Sequence, residues 1–158
     1  MPFDSMPVTD HPIRLVALDP TLRRFGPTSE SCDCAGFRPI PAWHSGRDPE
    51  HVGATIGVLA RARELIADER RWCRRSFARG WRGIPVSAKS TMAQRFCALG
   101  AIMRAAHELG MKAEDARTAL EWQIAHSTQD WNDDPARRHA EVIAKFEAAI
   151  AALERCAV

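Results

Sequence analysis

Seven of the ten prolines fall within the first 47 residues, and the other three stand at positions 49, 85 and 135. A proline inside a helix removes a backbone hydrogen bond and collides with the turn before it, so long helices are confined to the chain beyond Asp48. The chain is therefore expected to divide into an irregular, Pro-rich N-terminal arm, residues 1–47, and a helical domain, residues 48–158. No apolar stripe of helical period runs through the arm. Residues 13–18, bounded by Pro12 and Pro20, suit one short strand, and Leu15, Leu18, Phe25, Phe37 and Trp43 are the side chains by which the arm would lie on the domain.

Past the arm, apolar residues recur at spacings of three and four. Asp48, Pro49 and Glu50 form a helix start, with a side-chain acceptor, a proline whose missing N–H costs nothing and an acid in the first turn. Helix one is expected over 49–70, on the stripe Val52, Ile56, Leu59 and Ile66. Gly53 and Gly57 weaken it, so its first turns should either fray or be closely packed. Residues 91–94, Thr-Met-Ala-Gln, match the capping-box pattern, which predicts helix two over 91–109 with a stop at Gly110. Its seam would be Met92, Phe96, Leu99, Met103 and Ala106. Ala93, Cys97 and Gly100 would leave a shallow groove for Trp72 or Trp131. Helix three is expected over 113–126, a turn at 131–135, and then helix four on the stripe Val142, Phe146, Ala149, Leu153 and Cys156.

Between helices one and two lies a stretch of another kind. Arg70, Arg71, Arg74, Arg75, Arg79 and Arg82 fall within thirteen residues that contain no acid and are interleaved with Trp72, Phe77 and Trp81. Alternation from Cys73 to Arg79, turn residues from Gly80 to Gly83, and Ile84 and Val86 beyond predict a short hairpin. Pro85 cannot donate to a ladder, so the second strand should be an edge. The fold class expected is mainly α, a small four-helix domain with one short β-hairpin.

Three islands of the helical part carry a family resemblance: Trp72-Cys73, Phe96-Cys97-Ala98-Leu99-Gly100-Ala101, and Trp131-Asn132-Asp133 followed by Glu141-Val142. In their order and spacing, over roughly Val52 to Ile150, the chain resembles an uncharacterised family of small proteins from bacteria and their phages. The resemblance implies no activity and suggests a phage or mobile-element origin. The chain departs from the family in two places. An acidic turn containing glycine is replaced by Arg79-Gly80-Trp81-Arg82-Gly83. A threonine N-cap is replaced by Arg138, which leaves Asp133 or Asp134 as the expected cap of the last helix.

Charge limits the functions open to the chain. Twenty-two Lys and Arg against 20 Asp and Glu give +2, so any phosphate-seeking surface must be local. No apolar run approaches the ~20 residues of a membrane span, and no secretory signal pattern is present, so a cytoplasmic protein without membrane attachment is expected. Its five cysteines read as thiols rather than a disulfide framework. Cys32 and Cys34 with His44 and His51 offer zinc-ligand types at a spacing wrong for the common fingers, so no metal and no cofactor is expected.

A thiol nucleophile needs a base and an orienting group. Cys73 with His126 and Asp133 meets that list by residue type, whereas Cys97 and His107 are ten residues apart on one helix, about 15 Å. Trp72, Cys97, Gly100, Trp131, Asn132 and Asp133 are expected to be structural. The binding surface expected is Arg71, Arg74, Arg75, Arg79, Trp81 and Arg82, since Arg and Trp dominate binding hot spots. A protein partner, acidic in character, is the first reading; nucleic acid at the same hairpin is the second; a thiol enzyme centred on Cys73 is the third. The arginines could also pair with acids of the protein's own helices.

Overall fold

The computed structural model describes residues 48–156; the arm, its strand at 13–18 and the Cys32, Cys34 and His44 cluster lie outside the described residues. Helix α1, Pro49–Leu65, starts as expected: the Glu50 N–H donates to Asp48 Oδ1 at 3.1 Å and Pro49 occupies the first turn. It ends earlier than position 70. The Asp68 carboxylate accepts from the Arg70 N–H and caps a separate 3-10 turn, Glu69–Arg71. Gly53 and Gly57 neither fray the helix nor meet a neighbour, because a Cβ at either would touch nothing within 4 Å.

Three two-residue strands come next, β1 Ala78–Arg79, β2 Pro85–Val86 and β3 Arg95–Phe96. They form an antiparallel sheet in the order β2-β1-β3, with Ala78 opposite both Val86 and Phe96. Pro85 is on an edge, as its missing donor requires. The alternation expected from Cys73 to Arg79 is interrupted, because Arg75 adopts φ 60°. The third strand takes residues expected to begin helix two.

Helix α2 runs Ala98–Leu109, capped by Cys97, whose sulfur accepts from the Gly100 N–H at 3.2 Å, and it ends at Gly110 with φ 66°. The stretch Phe96–Ala101 is thus a strand-to-helix junction rather than the middle of a helix. The buried face shifts accordingly. Ala98, Ala101, Ile102, Ala105 and Ala106 are buried, Leu99 and Met103 are half-buried, and Met92 is exposed. The groove at Gly100 holds neither tryptophan. It holds the backbone of Phe77, whose carbonyl oxygen would lie 1.7 Å from a Cβ at this position.

Helix α3, Glu114–Ile124, buries Ala116, Ala119, Leu120 and Ile124. Where a turn was expected there is a short helix α4, Thr128–Asp133, capped by Ser127. Helix α5, His139–Cys156, buries Val142, Phe146, Ala149 and Leu153, while Cys156 is exposed rather than on the core stripe. Neither Asp133 nor Asp134 caps α5. Instead the Arg138 N–H donates to Glu141 Oε2 at 2.9 Å, half of a capping box.

The described domain is mainly α, with five α-helices and a small antiparallel sheet that includes the expected hairpin. Helix α1 packs on α2 and α5, α3 packs on α5, and α4 packs on α2 and α3. Leu59, Ile66, Phe96, Ile102, Leu120, Phe146 and Leu153 are fully buried where these layers meet, each contributing roughly 1.5–3 kcal/mol by its removal from water.

Candidate functional site

The sheet and the turns around it form a basic, partly apolar knob on the helical body. Residues 70–107 hold eight arginines and one lysine and no Asp or Glu, whereas the rest of the described domain has fifteen acids against eight bases. The charge of the domain is thus unevenly divided along the chain, a division the small overall charge conceals.

Asn132 holds this knob to the body. Its Oδ1 accepts from the Trp72 indole N–H at 2.8 Å and from the Ala98 backbone N–H at 3.0 Å. Its Nδ2 donates to Cys73 O at 3.2 Å and to Asp133 Oδ1 at 2.9 Å. Asp133 in turn accepts from the Arg75 N–H at 2.8 Å. The expected structural roles of Trp72, Asn132 and Asp133 therefore take the form of one network joining α4, the start of α2 and the loop before β1. Trp131 is buried, with the Arg137 guanidinium 4.5 Å above its ring.

The residues expected to bind a partner sort into two roles. Arg74 lies 4.6 Å over the Trp72 ring and donates to Pro135 O at 3.4 Å and to Arg137 O. Arg79 donates to Gly83 O at 2.8 Å and to Arg74 O at 3.3 Å. Both spend their forks on backbone carbonyls and so hold the loop and the hairpin turn in shape. Arg71, Arg75, Trp81 and Arg82 are exposed. Among the described residues, no arginine from 70 to 82 forms an ion pair; the ion pairs lie elsewhere, at Arg61, Arg63, Arg104 and Arg137.

The hairpin tip also exposes apolar surface. Trp81 is 64%, Ile84 60% and Met92 65% exposed. Met92 joins this tip because its carbonyl lies 3.0 Å from the position a Cβ of Gly80 would take. The Arg82 guanidinium lies 4.3 Å over the Trp81 ring, a contact worth about 0.5–1 kcal/mol at an exposed site. Trp81 and Arg82 were expected on this surface from the sequence; Ile84 and Met92 were not. Met92 carried no usable signal, since the capping pattern at Thr91 assigned it to a helix.

Cys73 and Cys97 are both free, buried thiols. Cys73 is buried and its Sγ donates to Ser76 O at 3.5 Å; burial pushes its thiol up, against the lowering effect of Arg79 and Arg95. Burial pushes the Cys97 thiol up to about 12. His126 is exposed beyond the end of α3, and Asp133 is occupied by Asn132 and the Arg75 N–H. His51 lies 3.0 Å from Asp115. Among the described residues no cluster of three His, Cys, Asp or Glu could hold a metal ion, and no helix is long and apolar enough to cross a membrane.

Fold and site together define a small helical domain that presents a basic, aromatic hairpin held in place by a buried asparagine. The chain belongs to the family of unknown function DUF6197, whose model matches residues 52–152. No curated protein and no solved structure matches the chain.

Proposed function

We propose that the protein is a non-enzymatic interaction protein whose hairpin tip binds an acidic protein partner. The observation that carries this reading is the combination at the tip: Trp81, Ile84 and Met92 are more than half exposed, with the Arg82 guanidinium over the Trp81 ring, in a stretch without a carboxylate that also exposes Arg71 and Arg75. An aromatic ring, aliphatic side chains and unpaired guanidinium groups together suit a protein surface with an apolar centre and an acidic rim. Arg74 and Arg79 act on the partner only through the loop they shape. The reading extends to a cytoplasmic accessory role, with a phage or mobile-element origin as the family resemblance suggests.

The test compares the wild type with Trp81→Ala/Arg82→Ala in salt-dependent partner capture, with the circular dichroism of both proteins recorded. The expected result is a partner retained at low salt by the wild type and lost by a variant that is still folded. Equal retention by the folded variant overturns the reading.

Nucleic acid remains the second reading, favoured by the arginine stacked on an exposed tryptophan ring, since bases also stack on such rings. Ile84 and Met92 argue for the protein partner, because aliphatic side chains offer a base no π-face. Labelled single-stranded and duplex DNA and RNA that show no mobility shift at low salt would remove this second reading.

A further inference from the structure

A second surface, away from the hairpin tip, lies between α2 and α3. Leu99, Met103 and Ala106 succeed one another along a single face of α2, followed by Gly110 at its C-terminal cap, spanning about 16 Å at the usual helical rise, and with Met111 they floor an open groove of about 680 Å³. Leu99 and Met103 are half-buried and Met111 is exposed, so this floor is apolar surface left in contact with water. Methionine side chains are unbranched and polarisable, which lets such a floor adapt to the side chains laid on it.

The rim has the opposite character. Lys89, His107, Lys112 and Arg117 stand around the groove against one carboxylate, Glu114. Among the described residues none of the Lys89, Lys112 and Arg117 side chains forms an ion pair, although six ion pairs join other arginines of the domain to acids. The Lys89 end is fixed in place: the Arg104 guanidinium donates to Lys89 O at 3.4 Å and to Ser90 O at 3.0 Å, and it is itself held by Glu108 at 2.6 Å. At the other end, the N-cap residue of α3, Ala113, makes no side-chain cap, so N–H groups at that terminus lack an acceptor from their own cap residue.

We propose that this groove is a docking site for an acidic amphipathic helix of a partner protein. An apolar floor about three turns long takes the i, i+3, i+4 and i+7 side chains of such a helix, and the unpaired cations of the rim face its acidic flanks. Complementarity of charge selects an acidic helix over a neutral or basic one. The site is independent of the hairpin reading and stands or falls separately.

The test uses the full chain and a fluorescein-labelled synthetic peptide of about four turns, with leucines at the i, i+3, i+4 and i+7 positions and glutamates on the flanks. Two controls accompany it, a scrambled peptide of the same composition and a version with lysine in place of glutamate. The expected result in fluorescence anisotropy is saturable binding of the acidic amphipathic peptide alone, weakened about tenfold or more by Lys112→Glu/Arg117→Glu. Those two substitutions are on the surface, and circular dichroism confirms the fold. Methyl NMR locates the contact, with shifts expected at Met103 and Met111 and not at Met92. Equal binding of the scrambled peptide, no loss in the folded charge-reversed variant, or shifts confined to Met92 each overturn the proposal, as does the absence of binding.

Discussion

Asn132 presents one acceptor and one donor at its tip, and each serves two partners: Trp72 and Ala98 at Oδ1, Cys73 O and Asp133 at Nδ2. It is fully buried, and its bonds to the Ala98 N–H and to Cys73 O are buried as well. Asn132→Ala would leave the Trp72 indole N–H and the Ala98 N–H without acceptors. At about 1–3 kcal/mol for each buried group left unpaired, the variant is expected to lose about 3 kcal/mol in urea unfolding; a loss of a few tenths would mean that water takes the vacated place. The sequence pattern puts Asn132 in a turn before the last helix and gives it a structural role. Its role as a hub was not legible, because its partners are 59 and 60 residues away at Cys73 and Trp72 and no local spacing announces such a bond. The same holds for Arg74 and Arg79. Charge and spacing identified them as arginines of a basic hairpin, but whether a guanidinium faces solvent or a backbone carbonyl depends on how the chain returns.

At the scale of elements, the sheet meets α2 at Gly100. A side chain there would run into the Phe77 carbonyl at 1.7 Å, and backbone on both sides leaves no flexible group to yield. Gly100→Ala is therefore expected to cost ~3 kcal/mol or more, the upper end for overpacking, measured as a drop in the urea midpoint; a variant that melts like the parent would show that the strand can move away. The importance of Gly100 was legible from the run of small residues Ala93, Cys97 and Gly100, although the neighbour was not. The reason is specific: Thr91-Met92-Ala93-Gln94 satisfies a helix-start pattern, whereas a two-residue strand such as β3 has no period to detect. Between α1 and α2, Glu108 bridges Arg61 at 2.9 Å and Arg104 at 2.6 Å. The Arg104 and Arg61 hydrogen bonds hold the Glu108 carboxyl below its ordinary value of 4.5. A depressed carboxylate stabilises the fold fully above its unfolded value and loses that contribution as pH falls through the folded one. The expected outcome is a steeper loss of stability below about pH 4.5 in the wild type than in Glu108→Gln, followed by thermal melts across the acid range; parallel profiles would show that the cluster contributes nothing.

Over the whole molecule, a total of +2 describes neither part of the described domain. Residues 70–107 carry only positive side-chain charge, and the remainder is acidic on balance. An acidic partner would therefore be drawn to the stretch without carboxylates, which makes its arrival sensitive to salt. Mainly helical class and the hairpin were legible from proline placement and period; the division into knob and body needed the long-range bonds of Asn132. The close approach of Phe77 to Gly100 has a further consequence. Strands of two residues are too short to hold a shape alone, yet β1 is seated backbone to backbone on the first turn of α2, where the Cys97 N–H donates to Phe77 O at 3.1 Å. The hairpin cannot swing without lifting off that helix, so the backbone that carries Trp81 and Arg82 is anchored before any partner arrives, and less of its conformational freedom is left to surrender on binding.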